Sequence, residues 1–275
     1  MASFVKMHGL GNDFVVIDQR KETEGTHWIS ADQIRLISDR RRGVGCDQVV
    51  FIYPARSFEA SARLRFFNAD GSESDACGNA SRCVASHLMT LSNNSEVTLE
   101  TNNSILHATL KPDNLVTIDM GSPKLEWTDI PISEPCDTLH LPVLEGELSD
   151  PVGVSMGNPH CIFIVEDAEK VNLTEAGPKI ENNALFPART NVGVVSKLSA
   201  SSFRLRVWER GAGVTESCGT GACAAAVAIH RREIGGREVM IEMDGGQLRI
   251  YWRKEDDHVL LTGPVETSFI GELKL

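Results

Sequence analysis

Nowhere in the chain do roughly 18 apolar residues run together, and the opening Met1-Ala2-Ser3-Phe4-Val5-Lys6 lacks the apolar core of a signal peptide. No membrane segment is expected, and the anticipated location is the cytoplasm. Basic charge is scarce as well: 27 Lys and Arg stand against 38 Asp and Glu, a formal net charge of −11. Nucleic-acid affinity rests on clustered cations, so nucleic acid is not an expected partner. The single basic cluster, Arg40-Arg41-Arg42, reads as a solvated helix end. Low-complexity segments and coiled-coil heptads are missing too. Neither Cys77 to Cys83 nor Cys218 to Cys223 has C-x-x-C spacing, so no metal is expected. Seven cysteines, an odd number spread over 275 residues, predict reduced thiols rather than a disulfide framework.

What the chain does have is a repeat. Arg63-Leu64-Arg65-Phe66-Phe67 leads to Cys77-Gly78-Asn79-Ala80, and Arg204-Leu205-Arg206-Val207-Trp208 leads to Cys218-Gly219-Thr220-Gly221, at one common offset and without a gap. Upstream, Gly11-Asn12-Asp13-Phe14 matches Gly157-Asn158-Pro159-His160 at a similar offset. Short alternating runs predict strands at Phe4 to Ile17 (broken by a turn at Gly9-Leu10-Gly11-Asn12), Val49 to Tyr53, Leu64 to Phe67, Val97 to Thr101, Ile105 to Leu110 and Leu115 to Met120. The second half repeats the programme at Val152 to Met156, Cys161 to Val165, Asn191 to Val195, Phe203 to Trp208, Val239 to Met243, Leu248 to Trp252 and Val259 to Leu261. Helices are predicted from Ser30, with Gln33 completing a capping box and Gly43-Val44-Gly45 as the stop, and after each repeated cysteine, over Gly78 to Leu91 and Gly219 to Arg232. Asn68-Ala69-Asp70-Gly71-Ser72 and Asp244-Gly245-Gly246 read as turns. The expected fold is α/β, with two pseudo-symmetric halves, each a mainly antiparallel sheet, and a ligand cleft between them.

A cysteine opening a helix has its thiolate favoured by free backbone N–H groups and the positive end of the dipole, so a lowered pKa is expected at Cys77 and Cys218. The same amides can hold a carboxylate, and Gly78 and Gly219 let backbone approach a ligand closely. Inverting a carbon beside a carboxylate takes a base on one face and an acid on the other, a task that suits two equivalent thiols. Asn12 and Asn158 are equivalents in the repeat, as are Asn68 and Glu209, while Gln48 and Asn191 precede similar Val-rich strands. Glu209-Arg210 could pair with an ammonium and a carboxylate, and His160 could orient a thiol. A Cys–His nucleophile using His8 or His160, or a redox dithiol, would leave the repetition of the cysteine motif unexplained.

Blocks covering the chain from end to end carry a family resemblance. Lys6-Met7-His8-Gly9-Leu10-Gly11-Asn12-Asp13-Phe14, Gly43-Val44-Gly45-Cys46-Asp47-Gln48, Phe67-Asn68-Ala69-Asp70-Gly71-Ser72, Met156-Gly157-Asn158-Pro159-His160, Glu209-Arg210-Gly211-Ala212-Gly213 and Leu261-Thr262-Gly263-Pro264 closely resemble the diaminopimelate epimerase family. The resemblance implies a cofactor-independent, metal-free inversion of LL-2,6-diaminopimelate to the meso form, serving lysine and cell-wall precursor synthesis. It implies that Cys77 and Cys218 are the acid/base pair, with His160 and Glu209 tuning them. By the same match Gly78, Asn79, Gly219 and Thr220 hold the reacting carboxylate end; Asn68, Asn158, Asn191, Glu209 and Arg210 read the distant end; Asn12 and Gln48 are further binding positions.

The family fold implied is two similar halves, each a strongly curved sheet around a central helix, with the final strand returning to the first half; a homodimer is the implied assembly. The expected division is 1–121 with a returning 264–275, against 122–263. One departure stands out: Ala80-Ser81 replaces the Gly-Ala that usually follows Cys-Gly-Asn, a methyl that could narrow backbone approach. The alternative enzyme is a two-cysteine proline or hydroxyproline racemase, which usually has His where Asn79 stands. A noncatalytic amino-acid binding protein is the alternative from another class.

Overall fold

The structure, a computed structural model, describes residues 2–21, 30–74, 77–102 and 104–273. The chain divides into two compact units, Met1–Asp119 with Gly263–Leu275, and Met120–Thr262.

In the first unit β1 (Ala2–Gly9) and β2 (Asn12–Asp18) form a hairpin, followed by α1 (Ala31–Ser38), β3 (Gln48–Tyr53), β4 (Ala62–Asn68), β5 (Glu73–Ser74), α2 (Gly78–Ser92), β6 (Glu96–Glu100), β7 (Ile105–Leu110) and β8 (Leu115–Asp119). The C-terminal strand Glu266–Leu273 adds to β1 antiparallel. Pairing runs β1–β2 antiparallel, β2–β3 parallel, β3–β4 antiparallel, β4–β6 parallel, then β6–β7 and β7–β8 antiparallel. Helix α2 packs on β1 and β2 and also on β6, β7 and β8. A flat sheet with strands about 4.8 Å apart cannot bring both of its ends to one helix, so this sheet curves around α2.

Between Phe14 and Ile17 no polar residue interrupts the run, because both faces of β2 are buried. Val15, Ile17, Val49 and Phe51 cluster with Ile34 and Ile37 of α1, whereas α2 takes the other side of the sheet. The predicted capping box is present: Gln33 N–H donates to Ser30 Oγ at 3.3 Å, and Ser30 N–H donates to Gln33 Oε1 at 2.8 Å. Helix α1 stops earlier than Gly43, at Asp39, whose carboxylate accepts the Arg41 and Arg42 amides at 2.7 and 2.9 Å and turns the chain away. The predicted turn after β4 is closed by Gly71 N–H on Asn68 O at 2.9 Å, with Gly71 at φ +86°.

The second unit opens with a small hairpin, β9 (Leu144–Glu145) and β10 (Leu148–Ser149), and then runs β11 (Val152–Ser155), β12 (Pro159–Ile164), α3 (Leu173–Glu181), β13 (Asn191–Lys197), β14 (Ser202–Glu209), β15 (Gly213–Thr215), α4 (Gly219–Arg231), β16 (Glu238–Met243), β17 (Gly246–Trp252) and β18 (Val259–Pro264). The pairing scheme is the same: β11–β12 antiparallel, β12–β13 parallel, β13–β14 antiparallel, β14–β16 parallel, β16–β17 and β17–β18 antiparallel. Helix α4 packs on β11 through β14 and on β16 and β17. It is buried from Gly221 through Ile229 without a polar face, the pattern of a helix enclosed on all sides. Helix α3 occupies the place that α1 holds in the first unit; Leu173 and Ile180 join Cys161, Phe163, Val192 and Val194 in one core.

Candidate functional site

Each repeated cysteine is the N-cap of its unit's central helix. Cys77 precedes α2 with φ −148° and ψ 112°; Cys218 precedes α4 with φ −130° and ψ 108°. The first turn of a helix leaves N–H groups without intrahelical acceptors, and in these helices that turn begins at Gly78 and Gly219.

In the first unit the Asn12 carboxamide links the thiol to its neighbours. Its oxygen accepts from Asn79 Nδ2 at 3.3 Å and lies 3.8 Å from Cys77 Sγ, while Ala80 N–H points at the same sulfur from 3.5 Å. Asn12 Nδ2 donates to Asp47 at 2.8 Å, and Asp47 is fastened to Asp13: Asp47 accepts the Asp13 amide at 3.0 Å, and Asp13 accepts the Asp47 amide at 2.8 Å. Arg40 spans both carboxylates at 2.8 Å and Lys6 reaches Asp13 at 2.6 Å. Burial works to raise the pKa of Asp13, but Arg40 and Lys6 outweigh it and hold that carboxyl at about 2. All three arginines of the basic cluster are exposed, as the solvated reading expects, and Arg40 in addition bridges the two carboxylates. Gln48 faces Asn68 across β3 and β4 and donates to it at 2.9 Å.

In the second unit Asn158 and Thr220 stand where Asn12 and Asn79 stand in the first. Asn158 Nδ2 donates to Thr220 Oγ1 at 3.3 Å, and Thr220 Oγ1 lies 3.7 Å from Cys218 Sγ. Asn158 Oδ1 is 3.0 Å from His160 Nε2, so a chain of polar contacts runs from the imidazole to the thiol. His160 is fully buried; burial, and then the charge of Arg210, pushes its pKa down to about 3 and keeps the ring neutral. Glu209 accepts from Thr215 Oγ1 at 2.5 Å.

Cys218 departs from the expected lowered pKa. It is only 5% exposed, and its thiol is pushed well above the ordinary value, first by burial and then by the Glu209 carboxylate; the Thr220 hydroxyl and the Gly221 N–H work in the opposite direction without prevailing. A helix start favours the thiolate, but removal from water and a neighbouring negative charge both disfavour it, and here they win. All seven cysteines are free thiols.

Asn191 is buried at the start of β13, where its carboxamide holds two backbone segments: Nδ2 donates to Pro159 O at 2.9 Å, and Oδ1 accepts the Arg210 N–H at 2.9 Å. Arg210 itself is exposed and rests one guanidinium nitrogen on Ala188 O at 3.0 Å. The substituted Ala80 is fully buried. Its counterpart Gly221 has less room, since a methyl there would meet Cys218 Sγ at 3.2 Å and Val207 at 3.4 Å. Sequence reading missed Asp13, Arg40 and Asp47 around Asn12, Thr215 beside Glu209, and Glu181, which braces the Arg210 turn. Asp13 and Asp47 lie inside the family-like blocks at residues 6–14 and 43–48, which was the available signal.

A separate groove of about 460 Å³ in the second unit is walled by Glu145, Glu147, Glu166, Asp167, Lys170 and Glu175. It includes none of the residues singled out in the sequence, and its excess of carboxylates suits a dicarboxylate poorly. Among the described residues no helix is long and apolar enough to cross a membrane.

A family model described as diaminopimelate epimerase matches residues 4–126 and 152–268. The diaminopimelate epimerase of Rhodospirillum centenum is 51% identical over 270 residues, covering 98% of this chain and 91% of that one. That of Acidiphilium cryptum is 50% identical over 270 residues, covering 98% and 95%. Among solved structures, a probable proline racemase from Agrobacterium radiobacter shares the fold, with a TM-score of 0.70 over 100% of this chain and 93% of that chain at 17% identity.

Proposed function

Since this chain belongs to the diaminopimelate epimerase family, we propose that it interconverts LL- and meso-2,6-diaminopimelate, with Cys77 and Cys218 as its two acid/base groups. The observation that carries the reading is the doubled constellation: two units of matching topology, each with an N-cap cysteine, an Asn where the turn of the first hairpin meets its second strand, and a polar residue as the second residue of the helix.

In the proposed reaction the thiolate of one cysteine takes the α-proton while the thiol of the other gives its own proton to the carbon's other face. One thiol and one thiolate are present before and after, with the roles exchanged, so no cofactor is required. Charge that accumulates on the substrate carboxylate is met by the first-turn amides at Gly78 and Gly219, aided by Asn79 and Thr220. Cys218 is assigned the protonated state at rest, because burial and Glu209 both oppose its ionisation. Asn12 and Asn158 orient the groups beside each sulfur, and His160 acts on Cys218 through Asn158 and Thr220 as a neutral ring.

The distant amino-acid end falls to Asn68, Asn158, Asn191, Glu209 and Arg210, with Gln48 a further binding position that donates to Asn68 at 2.9 Å; Glu209 suits the ammonium and Arg210 the carboxylate. The fold likeness to a proline racemase extends to architecture alone, and Asn79 in place of His favours the acyclic substrate. The reaction supplies lysine and cell-wall precursor synthesis; the enzyme is assigned to the cytoplasm and to a homodimer on the family resemblance. Conversion of LL-2,6-diaminopimelate by wild type, Cys77→Ala and Cys218→Ala tests the core of this reading. Wild type is to equilibrate the two isomers and both variants are to lose at least about a thousandfold in kcat; full activity in either variant refutes the pair.

A further inference from the structure

We infer that Glu181, the last residue of α3, is a positioning residue for Arg210. The inference rests on the reading above that Arg210 receives the distant carboxylate.

Glu181 is a carboxylate 5% exposed, and it accepts from three donors. Oε2 takes the Trp208 indole N–H at 2.7 Å; Oε1 takes the Gly211 amide at 3.0 Å and an Arg189 guanidinium nitrogen at 3.0 Å. These partners surround Arg210. Trp208 lies two residues before it on β14, and Gly211 follows it. Arg189 follows Ala188, the residue whose carbonyl supports the Arg210 guanidinium at 3.0 Å. Helix α3 comes close enough to do this because Gly177 has no side chain: a methyl there would sit 2.5 Å from the Trp208 ring.

The bond to Gly211 fixes more than a distance. Glu209 to Ala212 is a β-turn closed by Ala212 N–H on Glu209 O at 3.0 Å, with Gly211 at φ +77°. A positive φ at the third position marks a type II turn, which differs from type I in the orientation of its central peptide. That peptide joins Arg210 to Gly211, and its N–H is the one Glu181 holds. Asn191 holds the N–H on the other side of Arg210, at 2.9 Å. Both peptides flanking Arg210 are therefore clamped by buried side chains, so the long guanidinium starts from a fixed backbone and less order has to be imposed when substrate binds.

Glu181→Gln replaces one of two acceptor oxygens by an NH2 group, which then faces a donor. The expected result is a KM for diaminopimelate raised on the order of tenfold, about the effect of one lost hydrogen bond, with kcat within about twofold. Glu181→Asp, which keeps the charge but withdraws it by one methylene, is to raise KM in the same way and covers the case of a variant that does not fold. In an Arg210→Ala background the Glu181 substitution is to have little further effect on KM, because the two act in series. A fall in kcat without a rise in KM, or full additivity with Arg210→Ala, overturns the inference. If Arg210→Ala alone leaves KM at the wild-type value, the assignment of Arg210 to the distant carboxylate fails first, and this inference falls with it.

Discussion

Acidification is to destabilise this protein through His160 before its carboxylates begin to titrate. The ring is 0% exposed with Nε2 3.0 Å from Asn158 Oδ1, and its pKa is pushed from 6.5 to about 3, mainly by burial and secondarily by Arg210. With the folded-state value below the unfolded one, the unfolded chain takes up the proton first. The stability His160 allows is therefore intact above pH 6.5 and is withdrawn as pH falls toward about 3. Each pH unit inside that window is worth about 1.4 kcal/mol, so acidification to about pH 4 withdraws roughly 3 kcal/mol. Against a domain stability of about 5–15 kcal/mol that is a large share.

His160→Gln supplies the control, since a carboxamide can donate to Asn158 without titrating. Urea unfolding of both proteins, followed by tryptophan fluorescence from about pH 7 to about pH 4, is the assay. Asp13, whose pKa burial raises but Arg40 and Lys6 lower to about 2, is common to both proteins and cancels in the difference. The stability advantage of wild type over His160→Gln at neutral pH is to shrink by roughly 3 kcal/mol at the acid end. An advantage that stays constant across the range would refute a buried, neutral imidazole.

Gly221→Ala places a methyl 3.2 Å from Cys218 Sγ and 3.4 Å from Val207, so the thiol must shift by tenths of an ångström; kcat is to fall by up to about tenfold with little change in melting temperature, and an unchanged kcat contradicts the crowding. Removing the negative charge beside Cys218 by Glu209→Gln is to lower that thiol's pKa, so iodoacetamide labels Cys218 faster at neutral pH, as read by peptide mass spectrometry; slower labelling contradicts the role given to Glu209. Arg210→Lys keeps a charge but gives up the planar fork, one arm of which rests on Ala188 O at 3.0 Å; KM is to rise about tenfold, and a wild-type KM contradicts bidentate recognition.

The main strands of each sheet and the two central helices were legible because their signals are local. The two- and three-residue strands β5, β9, β10 and β15 carry too few residues to show a pattern, and the C-terminal strand Glu266–Leu273 was expected only from the family resemblance. Alternation marked β4 and β14, and a breaker-poor run after each cysteine marked α2 and α4. The repeat extended that reading to paired positions, so Asn12 with Asn79 and Asn158 with Thr220 came out as equivalent contacts. Helix α3 was not legible, since Gly177-Pro178 reads as punctuation although the chain continues helically through it. The repeat held the missing clue, because α1 lies between β2 and β3 just as α3 lies between β12 and β13. The Asp47 and Glu181 contacts were hidden for a different reason: they join residues far apart in sequence through loops that carry no periodic pattern. The rise in the Cys218 pKa is of the same kind. The helix start that stabilises a thiolate is written beside the cysteine, whereas burial and the approach of Glu209 exist only once the chain has folded.

The isotope content of substrate and product early in the reaction tests two-thiol inversion most directly. In deuterated water, with LL-2,6-diaminopimelate as starting material, two separate proton carriers are to yield meso product bearing one deuterium at the inverted α-carbon, while recovered LL substrate still bears protium. A single carrier exchanging on one face would instead put deuterium into the recovered substrate as fast as into the product, and that result would contradict the division of labour between Cys77 and Cys218.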